Sequence, residues 1–199
     1  MKAVRRVVGR GVPLDRDDVD TDQIIPSVWL KRIERTGYAP GLFSAWRADP
    51  AFVLNDPRYA GATILVAGAN FGCGSSREHA VWALEEHGFR AIVAPSFADI
   101  FRSNAVKVSL VPVAAPAEAV RALMRALERD PAIEIAVDVD ERRLVAHGAG
   151  IDTPFALDDH ARTRLLDGLD DIDLAMRRAD AIAAYEATRP DWLPSIRPR

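Results

Sequence analysis

The residues most able to do chemistry lie in one stretch, Ala67-Gly68-Ala69-Asn70-Phe71-Gly72-Cys73-Gly74-Ser75-Ser76-Arg77-Glu78-His79. Its three glycines tolerate positive φ and close backbone approach, and they separate an apolar run from a segment of helical periodicity. The two serines stand where that helix is expected to open. A helix start carries unpaired N–H groups and partial positive charge, so it binds anions. Arg77 adds a planar fork that matches a carboxylate in bidentate fashion. In such a field the hydroxyls of Ser75 and Ser76 can donate to an oxyanion, and an activated serine can take a proton from carbon. The plainer alternative is that Ser75 or Ser76 caps the helix and Arg77 makes a surface ion pair. Three glycines in a short loop after a strand favour function over that alternative.

Other readings of the polar residues fail on spacing. The stretch lacks the Gly-x-x-x-x-Gly-Lys-Ser/Thr of a nucleotide loop, and its Gly-x-Gly has no third glycine at the dinucleotide spacing. A serine hydrolase would need a Gly-x-Ser-x-Gly elbow and an Asp-His pair, and neither is evident. Asp18, Asp20 and Asp22 mimic the first ligands of a calcium loop, but Gln23 stands where glycine is needed and Trp29 where the bidentate glutamate belongs. Asp20, Thr21 and Asp22 are better read as fixing a turn, or the neighbouring site, through hydrogen bonds. His79 lies at i,i+4 from Ser75, which allows a relay, although a structural helix histidine is the better reading. His87, His147 and His160 show no ligand spacing. Cys73 can be mistaken for a nucleophile because helix starts lower thiol pKa values.

Composition narrows the classes further. The chain has 199 residues, 49% of them hydrophobic, which is enough for a sizeable core. The net charge of -3 and the lack of a basic block with interleaved aromatics argue against nucleic acid as a partner. No apolar stretch is long enough to span a bilayer and the N-terminus lacks the apolar core of a signal peptide, so a cytoplasmic protein is expected. The single cysteine cannot form an internal disulfide, and alone it cannot hold zinc or an iron-sulfur cluster. Any cluster chemistry must come from another chain.

The elements that must position the stretch follow from hydrophobic pattern. Loose alternation over 4–14 predicts a strand, followed by the acidic turn at 15–22. Ile24-Ile25-Pro26 reads as a short buried segment, and 28–35 as one or two helical turns ending before Gly37. Residues 36–61 look like a long excursion pinned by Tyr38, Phe43, Trp46, Phe52 and Tyr59. The apolar runs 63–68 and 91–94 have the length of strands buried on both faces, with a helix over 76–87 between them. A helix over 97–106, a strand near 109–113 and a helix over 116–129 continue the α/β alternation. Residues 133–139 and 142–145 form a β-hairpin, and a helical tail occupies about 158–199. Hairpin and tail are expected to close one domain spanning 1–199 rather than form a second.

Phe71-Gly72-Cys73-Gly74-Ser75-Ser76-Arg77-Glu78-His79-Ala80 closely resembles the signature of the small subunits of 3-isopropylmalate dehydratases, in the aconitase superfamily. Asp20-Thr21-Asp22-Gln23-Ile24-Ile25-Pro26, Trp29-Leu30-Lys31-Arg32, Ser96-Phe97-Ala98-Asp99-Ile100-Phe101 and Gly168-Leu169-Asp170-Asp171-Ile172 agree in order and spacing, and the likeness runs to Trp192-Leu193-Pro194. It implies an α/β fold, a swivelling β/β/α domain with a C-terminal hairpin and helical tail, packed over a large subunit that carries a 4Fe-4S cluster. This chain itself would bind no cofactor, and Cys73 would be a small loop residue near the site. The implied reaction interconverts 2-isopropylmalate and 3-isopropylmalate through isopropylmaleate, in leucine biosynthesis.

By the same resemblance Ser75 is the base that removes the carbon-bound proton, and Ser76 and Arg77 bind a substrate carboxylate. Trp29 and Leu30 are the apolar candidates for the isopropyl group, with core packing as their alternative, and Lys31 or Arg32 reaches a carboxylate. Ser109 departs from the pattern, since glycine is expected before the Leu-Val-Pro strand, and this should disturb a turn rather than the chemistry. Related hydro-lyases acting on citraconate, maleate or homoaconitate share the scaffold. A stand-alone anion-binding domain is the competitor from another class.

Overall fold

The computed structural model describes residues 1–34, 36–190 and 192. The α/β alternation expected from the sequence is present. Strands β1 (Arg6–Leu14), β2 (Ile64–Ala67), β3 (Ala91–Ala94) and β4 (Val111–Ala114) lie parallel, and β5 (Glu134–Asp138), β6 (Arg143–Ala146) and β7 (Ile151–Pro154) extend the same sheet antiparallel, in the order β4-β3-β2-β1-β5-β6-β7. The expected hairpin is therefore a three-stranded meander: Ile151–Pro154 returns along β6 after a left-handed turn at Gly150. Four residues containing Asp152 and Pro154 give too weak an alternation to be read as a strand from sequence.

Strands β2 and β3 are dry on both faces, and their side chains sort by pleat. Ile64, Val66, Ala91 and Val93 face helix α4 (Ala117–Arg129), which presents Val120, Leu123, Met124 and Leu127 at helical spacing. Leu65, Ala67, Ile92 and Ala94 face helices α2 (Glu78–His87) and α3 (Asp99–Lys107) and the aromatics Tyr38, Phe43, Phe52 and Phe71 of the excursion and the turn. The antiparallel extension keeps one dry face. Ile135, Val137 and Leu144 are fully buried there, while Glu134 and Arg143 face water.

The segment 28–35 is a 3-10 turn over Ser27–Lys31, with Arg35 outside the described residues. Ile24 and Ile25 are fully buried, and Ile24 ends the single-turn helix α1 (Thr21–Ile24). The tail comprises α5 (Asp159–Asp167), α6 (Asp171–Met176) and α7 (Ala179–Ala187). Ala161 and Leu165 of α5 dock into the core, whereas α6 and α7 bury no residue. Of Trp192-Leu193-Pro194, only Trp192 is among the described residues. Ser109 occupies the left-handed region (φ 63°) that glycine was expected to fill, and its hydroxyl donates to the Lys2 carbonyl at 2.8 Å while accepting from the Lys2 N–H at 3.1 Å.

Candidate active site

The glycine-rich turn leaves the carboxyl end of β2, where ligands of open α/β sheets collect. It is stitched on both sides. Gly72 N–H donates to the Val19 carbonyl and Thr21 N–H to the Cys73 carbonyl, at 2.8 and 2.9 Å; on the other flank Phe71 N–H donates to the Ser96 carbonyl at 3.1 Å. Gly72 has φ 78°, and a Cβ placed there would come within 2.2 Å of the buried Phe101 ring. Gly72→Ala is therefore expected to cost about 2–4 kcal/mol, combining overpacking with left-handed strain. Urea unfolding of the purified chain measures this, and a loss under about 0.5 kcal/mol would contradict the packing described.

Helix α2 begins at Glu78, two residues later than the sequence pattern places it. Arg77 is the N-cap residue, in extended conformation and without a side-chain cap bond, so neither serine caps the helix. Ser75 and Ser76 instead sit exposed in the turn ahead of it. The helix field is weaker there than a cap position would receive, because it falls off within the first turn. Arg77 has turned aside to pair with Asp22. Its side chain is only 18% exposed, against 57% for Asp22. The ion pair anticipated as the plainer reading thus exists, but its cation is largely sheltered.

Asp20 caps α1 in a reciprocal arrangement with Gln23: the Gln23 N–H donates to Asp20 Oδ1 at 2.7 Å, and the Asp20 N–H donates to Gln23 Oε1 at 2.9 Å. This fixes Thr21 and Asp22 against the turn. The buried Thr21 hydroxyl donates to the Ser75 carbonyl at 2.9 Å and lies 3.4 Å from Ser75 Oγ. With the Thr21 proton committed to that carbonyl, its lone pairs face the Ser75 hydroxyl and orient it. Asp20, Thr21 and Asp22 therefore have the role expected of them, fixing the turn and the neighbouring site.

Ser75, Ser76 and Arg77 converge with Thr21 on one cavity of about 280 Å³, whose other wall is α3, through Ile100, Phe101 and Asn104. The α3 residues were missed as site candidates because a helix with buried Phe101, Ala105 and Val106 reads simply as core. The available signal was Asn104, an amide on that apolar face. A larger cavity of about 490 Å³ lies elsewhere, where Arg16 stacks on Trp46 at 4.2 Å, and it shares no lining residue with the serine cavity. It gathers no serine, cysteine or histidine, so the smaller cavity is the candidate site.

The loop residues do not enter that cavity. Trp29 and Leu30 are half-buried against the aromatic core, and the Trp29 ring lies so close over Gly41 that a Cβ there would approach it to 2.7 Å. Lys31 is exposed. Arg32 is exposed too, donates to the Gly37 carbonyl at 2.8 Å, and lies over the rings of Trp29 and Tyr38 at 5.7 and 5.8 Å. Glu86, near the end of α2, anchors this loop by accepting the successive N–H groups of Gly37, Tyr38 and Ala39. His79 packs against Tyr38 and Trp82, with ring centroids at 5.1 and 4.8 Å, and does not line the cavity, so its structural reading holds. Cys73 donates to the Asp18 carbonyl at 3.3 Å. Desolvation by burial, then the charges of Asp20 and Asp18, raise its thiol pKa, which is opposite to the activation a helix start would give.

Comparison with known proteins agrees with this architecture. Residues 1–118 match the family described as the aconitase C-terminal domain, and residues 171–194 match the C-terminal domain of the 3-isopropylmalate dehydratase small subunit. The chain is 60% identical over 195 residues to the 3-isopropylmalate dehydratase small subunit of Frankia alni, covering 98% of this chain and 99% of that one. Against the Rubrobacter xylanophilus small subunit it is 51% identical over 196 residues, covering 98% and 100%. A crystal structure of 3-isopropylmalate dehydratase from Methanocaldococcus jannaschii superposes with a TM-score of 0.66 at 28% identity, over 90% of this chain and 98% of that one. With the Gly74-Ser75-Ser76-Arg77 turn at the mouth of a cavity beside β2, and relatives of this identity along nearly its whole length, the chain belongs to the family of 3-isopropylmalate dehydratase small subunits.

Proposed function

We propose that this chain is the small subunit of a hydro-lyase that interconverts 2-isopropylmalate and 3-isopropylmalate through isopropylmaleate, working as one swivelling domain over a large, cluster-bearing subunit. The observation that carries the reading is the convergence of Ser75, Ser76 and Arg77 on one cavity, where the guanidinium already grips a carboxylate, that of Asp22. Arg77 and Ser76 hold a substrate carboxylate, which neutralises charge next to the carbon that must be deprotonated. Ser75 Oγ, oriented by Thr21 and acting as an alkoxide, takes the proton from that carbon as the hydroxyl departs from its neighbour, and on rehydration gives a proton to the carbon that lost the hydroxyl while water oxygen adds to the other. Trp29 and Leu30 receive the isopropyl group, and Lys31 or Arg32 reaches the second carboxylate, once the partner closes the site over the loop.

The residues of this chain do not fit a 4Fe-4S cluster. Such a cluster takes three or four thiolates, and the only cysteine, Cys73, is bonded to the Asp18 carbonyl. We therefore assign the cluster to the large subunit and place the enzyme in the cytoplasm, where reduced thiols persist. No helix among the described residues is long and apolar enough to cross a membrane.

The test is anaerobic co-expression with the large subunit, followed by hydration assays on isopropylmaleate, citraconate and maleate. Isopropylmaleate should be the preferred substrate, and the chain purified alone should contain no stoichiometric iron or sulfide and show no turnover. Preference for citraconate or maleate would move the chain to a related hydratase. Iron and sulfide in the isolated chain would overturn the assignment of the cluster.

A further inference from the structure

Four polar residues are buried among the described residues: Thr21, Asn104, Ser109 and Arg164. Three of them have partners. Thr21 bonds to the Ser75 carbonyl, Ser109 to the backbone of Lys2, and Arg164 to Asp171 and the Leu169 carbonyl. Asn104, 7% exposed, has no hydrogen-bond partner for its side-chain amide among the described residues. The enclosed side-chain atoms without a partner among the described residues are Arg47 Nε, Thr63 Oγ1 and Arg142 Nε. The Asn104 amide is not enclosed in that way: it lines the cavity that contains Ser75, Ser76 and Arg77, and its hydrogen-bonding capacity is open to whatever the cavity holds.

We infer that Asn104 is a substrate-binding residue: its side-chain amide donates an N–H to a carboxylate oxygen of the dicarboxylate in the serine cavity. The inference rests on the proposed function, since it takes that cavity to be the substrate site. The chemistry suits the position. Arg77 supplies the charge from the turn, and on the α3 wall Asn104 adds a directional donor without a second charge. On the same wall Phe101 is buried and apolar, and the Asp99 carboxylate is turned to solvent, its side chain 94% exposed, so the amide is the donor that α3 offers an anion in the cavity. Phe101 is also the ring that packs under Gly72, so the helix presenting the amide is held in register with the turn presenting the serines.

The test uses the complete enzyme with its large subunit and cluster. Asn104→Ala and Asn104→Leu should each raise KM for 2-isopropylmalate by about 10- to 100-fold, the loss of one hydrogen bond to a charged group. Asn104→Asp keeps the shape and an acceptor oxygen but removes the donor and adds like charge, so it should bind the substrate at least as weakly. The thermal midpoint without substrate should be little changed in Asn104→Leu, because the amide makes no hydrogen bond to a described residue that leucine would remove; a structural asparagine would lower it. An unchanged KM in Asn104→Ala, or retained affinity in Asn104→Asp, overturns the inference, as does failure of both Asn104→Ala and Asn104→Leu to assemble. Arg77→Lys measured alongside separates the two levels of the argument. If it weakens binding and the Asn104 variants do not, the cavity remains the substrate site and only the role of Asn104 falls. If neither does, the site itself is misassigned.

Discussion

Ser75→Ala in the assembled, cluster-loaded enzyme is expected to lower kcat by about 10²- to 10⁴-fold while leaving KM nearly unchanged. A base acts on the carbon-bound proton in the transition state, so its loss falls on turnover and not on ground-state affinity. The fold should tolerate the change. Ser75 is exposed in the turn, its hydroxyl contacts only Thr21 Oγ1 among the described residues, and the turn is held by backbone bonds from Thr21, Phe71 and Gly72 that alanine preserves. Circular dichroism and partner binding should match those of the unmutated protein. Near-normal turnover in a complex that passes both controls would eliminate Ser75 as the base.

Arg77→Lys is the second large effect. Lysine keeps the charge but replaces a planar fork by a single ammonium, so the carboxylate loses its bidentate seat. We expect KM to rise about 10- to 100-fold, with a further fall in kcat as the substrate drifts from its productive position. Stability should change little, because Asp22 is 57% exposed and a pair with one solvated partner contributes weakly. Steady-state kinetics with the thermal midpoint as control checks both parts. An unchanged KM would leave Arg77 with only its partner Asp22 to serve.

Much of this was legible in the sequence because the signals were local. The runs 63–68 and 91–94 announced doubly buried strands by having no polar alternation, and the glycine pattern marked the turn. What could not be read depended on contacts between distant segments. The start of α2 moved because Arg77 is drawn away by Asp22, 55 residues earlier, and stands as an extended N-cap. Strand β7 forms because β6 offers it an edge, not because four residues with a proline favour a strand. Asn104 became visible only once α3 was placed against the turn. The positions of Trp29, Leu30, Lys31 and Arg32 relative to the serine cavity depend on a loop held by Glu86 from another element, and no spacing rule reports that.

On the proposed function, in which Arg77 holds a substrate carboxylate, its pairing with Asp22 means that the anion seat is already filled before substrate arrives. Entry of the dicarboxylate is then an exchange of one carboxylate for another rather than occupation of a vacancy. Most of the attraction gained at Arg77 is offset by the attraction given up, and the released Asp22, more than half exposed, is taken up by water. An anion carrying a single carboxylate gains little by such an exchange. A molecule with a second charged group and an apolar branch gains from the additional contacts, so under the proposed function the internal ion pair would filter ligands by valence before any chemistry begins.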